Sequence, residues 1–281
     1  MLIDVHAHYD DKAFDGDRSA CLQKVADAGV VAVINAATNY DTAVKCLEYS
    51  HKYPNFYCVL GIHPEYADFY TPETIAQIET LALKDQKVVG IGETGLDYHY
   101  LPKEDLEECR RIKQAQRENF IANIQLAERL SLPLVVHDRE AHQDTLRILR
   151  ENVSGDTESV LHCYSGSAEM VRDFTALNFS FSIGGVLTFK NASRLVEAVK
   201  AMPRDRILLE TDCPYLAPEP RRGKRNDSSL LVYTARRLAE ILDLSFDLPN
   251  DNRQRISNFW QIALKMRFIH KKSCSYCEQG A

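Results

Sequence analysis

The chain has 281 residues, 45% of them hydrophobic and 26% charged, which excludes disorder as the main state and is long enough for one large α/β domain or two small ones. Forty acidic residues against 34 basic give a formal net charge of -6, so any polyanion has to be met by a local patch rather than by the molecule as a whole. The longest uninterrupted apolar runs, such as Val30 to Ile34 and Leu132 to Val136, are strand length, far short of the roughly 20 residues a bilayer span needs.

Strand-like runs fall at Leu2 to His6, Val30 to Asn35, Phe56 to Gly61, Val88 to Glu93, Leu134 to His137, Val160 to Cys163, Phe179 to Ile183 and Ile207 to Thr211. The first begins at once, Met1-Leu2-Ile3-Asp4-Val5, leaving no room for a secretory signal and pointing to the cytoplasm. Helix-like stretches separate the runs. Asp17 to Gly29 closes on a glycine, Thr71-Pro72 opens another helix with an N-cap and a first-turn proline, and Glu104 to Leu130 is the longest. Eight such units predict a (β/α)₈ barrel, since a doubly wound sheet more often stops at five or six strands. One barrel domain is expected over residues 1–268, with Asn252 to Phe268 as an added C-terminal helix and 269–281 as a polar tail. The eight cysteines are scattered and read as reduced thiols, which suits the same compartment. Only Cys274 and Cys277 form a CxxC, and no second pair completes a zinc site.

In a barrel the site lies where the strands end, and here those ends are polar. Strand one ends in Asp4-Val5-His6-Ala7-His8, strand three in Gly61-Ile62-His63-Pro64, strand four in Gly92-Glu93-Thr94-Gly95-Leu96-Asp97, strand five in His137-Asp138-Arg139, strand six in His162-Cys163-Tyr164-Ser165-Gly166 and strand eight in Glu210-Thr211-Asp212-Cys213-Pro214. His6 and His8 are two apart on a strand, so both imidazoles point to one face at chelating spacing. With Glu93, His137, His162 and Asp212 they form a donor set suited to borderline divalent metals and large enough for two ions sharing a carboxylate. Any one of these histidines alone reads as a satisfied core or rim residue; together at strand ends they read as ligands. His63 is a ligand, a substrate contact or a loop anchor, and is taken as a contact. His51, His99 and His142 lie outside the set.

The order DxHxH, GxHP, GExGLD, HxR, HCYSG and ETDxPYLAP, followed by RGKRN, resembles the TatD family of metal-dependent deoxyribonucleases, within the amidohydrolase-like metal hydrolases. The resemblance runs from residue 4 to about 226; the chain from Phe268 onward is unlike the family's pattern. It implies that His6 and His8 bind one metal and His137 and His162 the other, with Glu93 bridging and Asp212 serving as ligand and proton acceptor. The cofactor is then two divalent ions, Mg, Mn or Zn. It also implies cleavage of DNA from the 3′ side.

A phosphate-rich substrate needs further cations, and Arg221-Arg222-Gly223-Lys224-Arg225 supplies four in five residues just after the strand-eight loop. Arg222, Lys224 and Arg225 are therefore expected to bind DNA phosphates, the other reading being a solvated charge run. Arg139 either forks to a phosphate or pairs with Asp138 or Glu140. Tyr164 either stacks on a base or lines the rim. Two further classes stay open: a hydrolase of acyl or amide bonds, for example a D-aminoacyl-tRNA deacylase, and a non-catalytic binding scaffold, disfavoured because no candidate ligand is missing.

Overall fold

The computed structural model describes residues 2–245; the expected helix at 252–268, the tail at 269–281 and the Cys274/Cys277 pair lie outside them. Eight parallel strands run in sequence order: β1 (Leu2–Ala7), β2 (Val30–Ala36), β3 (Phe56–Leu60), β4 (Val88–Asp97), β5 (Leu134–Arg139), β6 (Ser159–Leu161), β7 (Phe179–Ile183) and β8 (Ile207–Leu209). The helices between and after them are α1 (Arg18–Asp27), α2 (Tyr40–Lys52), α3 (Pro72–Lys84), α4 (Leu106–Leu130), α5 (His142–Asn152), α6 (Ala168–Ala176), α7 (Ser193–Ala201) and α8 (Leu231–Ile241). This is the (β/α)₈ barrel that the periodicity predicts. Thr71 caps α3 by accepting the Thr74 amide, with Pro72 in its first turn as expected. Among the described residues no helix is long and apolar enough to cross a membrane.

Two apolar layers account for the alternation along the strands. Ile34, Ala36, Val59, Val89, Val135, Val160 and Leu208 meet in the barrel interior. Their neighbours Cys58, Leu60, Leu134, Val136 and Leu161 pack outward with Phe120 and Ile124 of the long helix α4. β-branched side chains fill the narrow lumen and larger ones fill the space under the helices.

Register shifts interrupt strict alternation at four places, and two of them lie beside candidate ligands. Asp4 pairs with Val33 and Ala7 with Asn35, so β1 spends one extra residue there. Ile91 pairs with Leu134 and Thr94 with Val136, so β4 does the same. Val5 packs with the inner cluster and Ile91 with the outer one, so simple alternation would turn both His6 and Glu93 away from the interior. The bulges return them to it.

The ring closes through side chain and backbone together. Asp212 N–H donates to the His6 carbonyl at 3.0 Å and His8 N–H to the Cys213 carbonyl at 2.8 Å. Below them the fully buried Asp4 carboxylate accepts the Thr211 amide at 2.9 Å and the hydroxyls of Thr211 and Ser228. Burial pushes this carboxyl up to about 7 despite those bonds. The native state therefore holds the Asp4 proton up to that pH, whereas the unfolded chain releases it near 3.8. Metal-free protein should lose stability through this group as the pH rises between the two values, and Asp4→Asn should remove a slope of about 1.4 kcal/mol per pH unit. Urea midpoints of both proteins from pH 4 to 8 check this; parallel curves would mean that Asp4 is ionised in both states.

Candidate metal centre

Glu93 stands at the middle of the barrel mouth, 2% exposed, with its two oxygens facing different partners. Oε2 lies 3.2 Å from His6 Nε2 and 3.4 Å from His8 Nε2. Oε1 lies 2.8 Å from His137 Nδ1, 3.1 Å from His162 Nε2 and 3.5 Å from His63 Nε2. Asp212 adds Oδ1 at 3.3 Å from His8 Nε2 and 3.9 Å from His6 Nε2. Its backbone is left-handed, with φ 56°, which turns the carboxylate back over the mouth directly after β8.

Those spacings test whether the residues suit an ion. Donor atoms bonded to one metal at 2.0–2.1 Å in a tetrahedral arrangement sit about 3.3 Å from one another. His6 Nε2 and His8 Nε2 are 3.2 Å apart, and three of the four distances from these nitrogens to Glu93 Oε2 and Asp212 Oδ1 lie between 3.2 and 3.4 Å. Three triads converge closely enough to hold a cation: His6, His8 and Glu93; His6, His162 and Asp212; and His63, Glu93 and His137. The donor set fits a divalent metal.

Electrostatics support the same reading. Burial by itself would raise Glu93, but the surrounding histidines, His162 and His6 foremost, hold it well below the usual carboxylate range. Asp212 is lowered as well: burial opposes this, and the His8 hydrogen bond outweighs it. Burial would lower His8, His137 and His162, yet their carboxylate partners raise all three, His137 to about 9. His6 is lowered by burial and by the neighbouring His162, and its Nδ1 has no partner among the described residues. A divalent cation would replace the protons that this cluster otherwise gathers.

The structure thus brings together His6, His8, Glu93, His137, His162 and Asp212, and adds His63. The His63 ring belongs to the first turn after β3, where Nδ1 accepts the Glu65 amide at 3.2 Å. With that bond the neutral ring carries its proton on Nε2, which lies 3.5 Å from Glu93 Oε1. Burial pushes its pKa down and favours the neutral form. His51, His99 and His142 pair with Asp85, Glu140 and Asp138 outside the cluster.

The remaining expectations divide. Arg139 pairs with neither Asp138 nor Glu140; its guanidinium lies over the exposed Tyr100 ring, 5.1 Å from the centroid. Tyr164 does not reach the rim. It is 5% exposed, packs edge-on against Phe174 and Phe181, and donates its hydroxyl to the Ser167 carbonyl at 2.7 Å, so neither ring face is offered to a base. Arg225 is committed to Asp17 by two 2.7 Å bonds, donates to the Ala13 carbonyl and covers Phe14, which makes it an anchor of the loop. Arg222 lies over Phe189, 4.2 Å from the ring centroid, while Lys224 has no carboxylate partner among the described residues. Two buried carboxylates were not singled out in the sequence: Asp97, 3.1 Å from His137 Nε2, and Glu210, 3.3 Å from His162 Nδ1. Their signal was position alone, four residues after Glu93 and two before Asp212.

Fold and donor set together define a barrel of the metal-hydrolase type. The TatD-related DNase family matches residues 3–255, and the chain belongs to that family, as the motif order implied. YabD of Bacillus subtilis, named as a metal-dependent hydrolase, is 36% identical over 260 residues, covering 91% of this chain and 98% of YabD. YcfH of Escherichia coli K12, named likewise, is 35% identical over 263 residues, covering 91% of this chain and 95% of YcfH. The crystal structure of YjjV, a TatD homologue from Escherichia coli K12, matches with a TM-score of 0.79 at 26% identity, over 95% of this chain and 96% of that one.

Two glycines, Gly92 and Gly95, permit the approach of β4 to β5 at the centre. Gly95 has φ 143° and pairs with His137, and a Cβ there would meet the His137 carbonyl oxygen at 2.0 Å. Gly95→Ala should therefore displace His137 as well as strain β4, costing about 3 kcal/mol or more in urea unfolding and lowering zinc content by metal analysis. Wild-type values on both measurements would show that the strand pair adapts without moving the ligand.

Proposed function

We propose that the protein is a two-metal phosphodiesterase that removes nucleotides from the 3′ end of DNA. The observation that carries this reading is the division of Glu93: one oxygen faces His6 and His8, the other faces His137 and His162, and Asp212 closes over the first pair. Two ions bound there would lower the pKa of an attacking water and neutralise charge developing on the phosphoryl oxygens. Asp212, whose side chain at 15% is the most exposed of these carboxylates, takes the proton from that water. Its lowered pKa keeps it ionised and ready as an acceptor at neutral pH. His63 presents Nε2–H from the opposite side and donates to a phosphoryl oxygen.

Substrate length would be read on the rim. Arg139 at the end of β5 and Arg222 and Lys224 in the loop after β8 offer cations to phosphates beyond the scissile one. A cavity of about 260 Å³ lined by Pro64, Glu65, Asp97, Tyr100, Leu101 and Ile112 adjoins the centre and suits a terminal base with its sugar. The family's description as DNases favours DNA over an acyl substrate.

End-labelled single-stranded DNA, a chromogenic phosphodiester and an aminoacyl ester, each given to zinc- or magnesium-loaded protein, test the reading. Labelled mononucleotides released from the 3′ end, with the ester untouched, is the expected result; ester cleavage with intact DNA would overturn it. Asp212→Asn keeps the shape but accepts no proton, so kcat should fall by about 10²–10⁴ while oligonucleotide binding persists. A near wild-type rate would remove Asp212 from the mechanism. Replacing Arg222 and Lys224 by alanine should weaken oligonucleotide binding and flatten its salt dependence by roughly 0.7 per lost contact, leaving the small phosphodiester unaffected. Arg225→Ala should instead lower the melting temperature, because it frees the loop from Asp17.

A further inference from the structure

The two halves of the centre differ in what stands behind their histidines. Glu210 is fully buried; its Oε2 lies 3.3 Å from His162 Nδ1 and accepts the Ser182 hydroxyl, while its Oε1 is buried with no hydrogen-bond partner. Asp97 is 4% exposed and places Oδ2 3.1 Å from His137 Nε2. Asp97 is itself held firmly. Its amide donates to Gln116 Oε1 and its carbonyl accepts Gln116 Nε2, both at 3.0 Å, and its Oδ1 accepts the His99 amide at 2.8 Å. In the other half His8 Nδ1 donates to the Ala36 carbonyl at 2.9 Å, and His6 Nδ1 meets nothing among the described residues.

An imidazole has two ring nitrogens, and the hydrogen bond made by one decides what the other can do. A nitrogen facing a buried carboxylate keeps its proton, which leaves the lone pair on the nitrogen across the ring. For His162 that is Nε2 and for His137 it is Nδ1, the two atoms that face Glu93 Oε1. A carboxylate partner also makes the ring a more basic ligand than a neutral carbonyl does. The unpaired Oε1 of Glu210 points the same way, since a buried carboxylate with an unsatisfied oxygen is costly unless positive charge lies close by.

We propose that Glu210 and Asp97 are positioning residues that commit His162 to ligation through Nε2 and His137 through Nδ1, and so govern the affinity of one half of the centre only. Neither carboxylate touches the reacting atoms. Each acts through the ring it holds. The division into halves rests on the two-ion reading above.

Zinc binding to the metal-free full chain, followed by calorimetry and metal analysis, tests the inference. Glu210→Gln preserves the volume and removes the charge; it should weaken one ion by about 10–100-fold and leave the other within about twofold. Asp97→Asn should weaken that same ion. The ion affected should be the one lost in His162→Ala and retained in His6→Ala. In side-chain ¹⁵N NMR of the zinc-loaded protein, His162 should be protonated at Nδ1 in the wild type and lose that fixed tautomer in Glu210→Gln. The melting temperature of the metal-free variant should stay level or rise, whereas a merely structural Glu210 would lower it and leave zinc affinity alone. Unchanged affinity, or equal loss at both ions, overturns the proposal. Should Glu210→Gln fail to fold, Ser182→Ala releases the carboxylate while leaving it in place, and a smaller loss at the same ion is expected. One zinc per wild-type chain would overturn the two-ion reading instead; the inference would then be decided by whether that ion weakens in Glu210→Gln.

Discussion

An ionised glutamate at the mouth of a barrel lumen is among the costliest groups a fold can bury, and the architecture around Glu93 answers that cost. Five imidazoles come within 3.5 Å of its oxygens, each from the end of a strand or the turn after it. His6 among them, and Glu93 itself, reach the interior only because β1 and β4 each carry an extra residue beside them. Gly95 lets the end of β4 lie close enough to β5 for His137 to meet the carboxylate. Bulges, glycine and histidines are thus parts of a single electrostatic solution. Removing any one of them leaves a charge in the lumen with too few partners.

Much of this was legible in the residues, and where it was not the reason is physical. Eight short apolar runs separated by helical periods define the barrel, and polar residues at the ends of those runs define the centre. Asp97 was missed because the apolar run in β4 stops at Glu93, while the strand itself continues to pair with β5 as far as Arg139. Glu210 was visible beside Asp212, but its partner His162 lies 48 residues away in the chain. Tyr164 was misplaced for a local reason. Cys163 takes a left-handed conformation, φ 44°, directly after His162, which breaks the alternation and turns the tyrosine into the layer beneath the helices.

The basic loop shows how a charge run can divide its labour. Arg225, next to the buried Asn226, ties the loop to α1 through Asp17. Asn226 then donates to the carbonyls of Thr211 and Tyr215, fixing the turn that carries Asp212. Arg222 is kept over Phe189, and Lys224 stands free of carboxylates among the described residues. Residues that look equivalent in composition therefore serve different ends. Some hold the turn that carries Asp212 in place, and others keep positive charge toward solvent.

The closing seam between β8 and β1 carries a consequence for how the protein comes into being. His6 and His8 precede Asp212 in the chain by some two hundred residues, yet the bonds between Asp212 and His6 and between His8 and Cys213 are what shut the ring. A nascent chain lacking its eighth strand has the first pair of imidazoles but neither Asp212 nor the Thr211 and Ser228 groups that fasten Asp4. Such contacts between distant parts of a chain are the slowest to form. A cation drawn to this mouth would therefore find its donors assembled only on a chain that has already made its eighth strand.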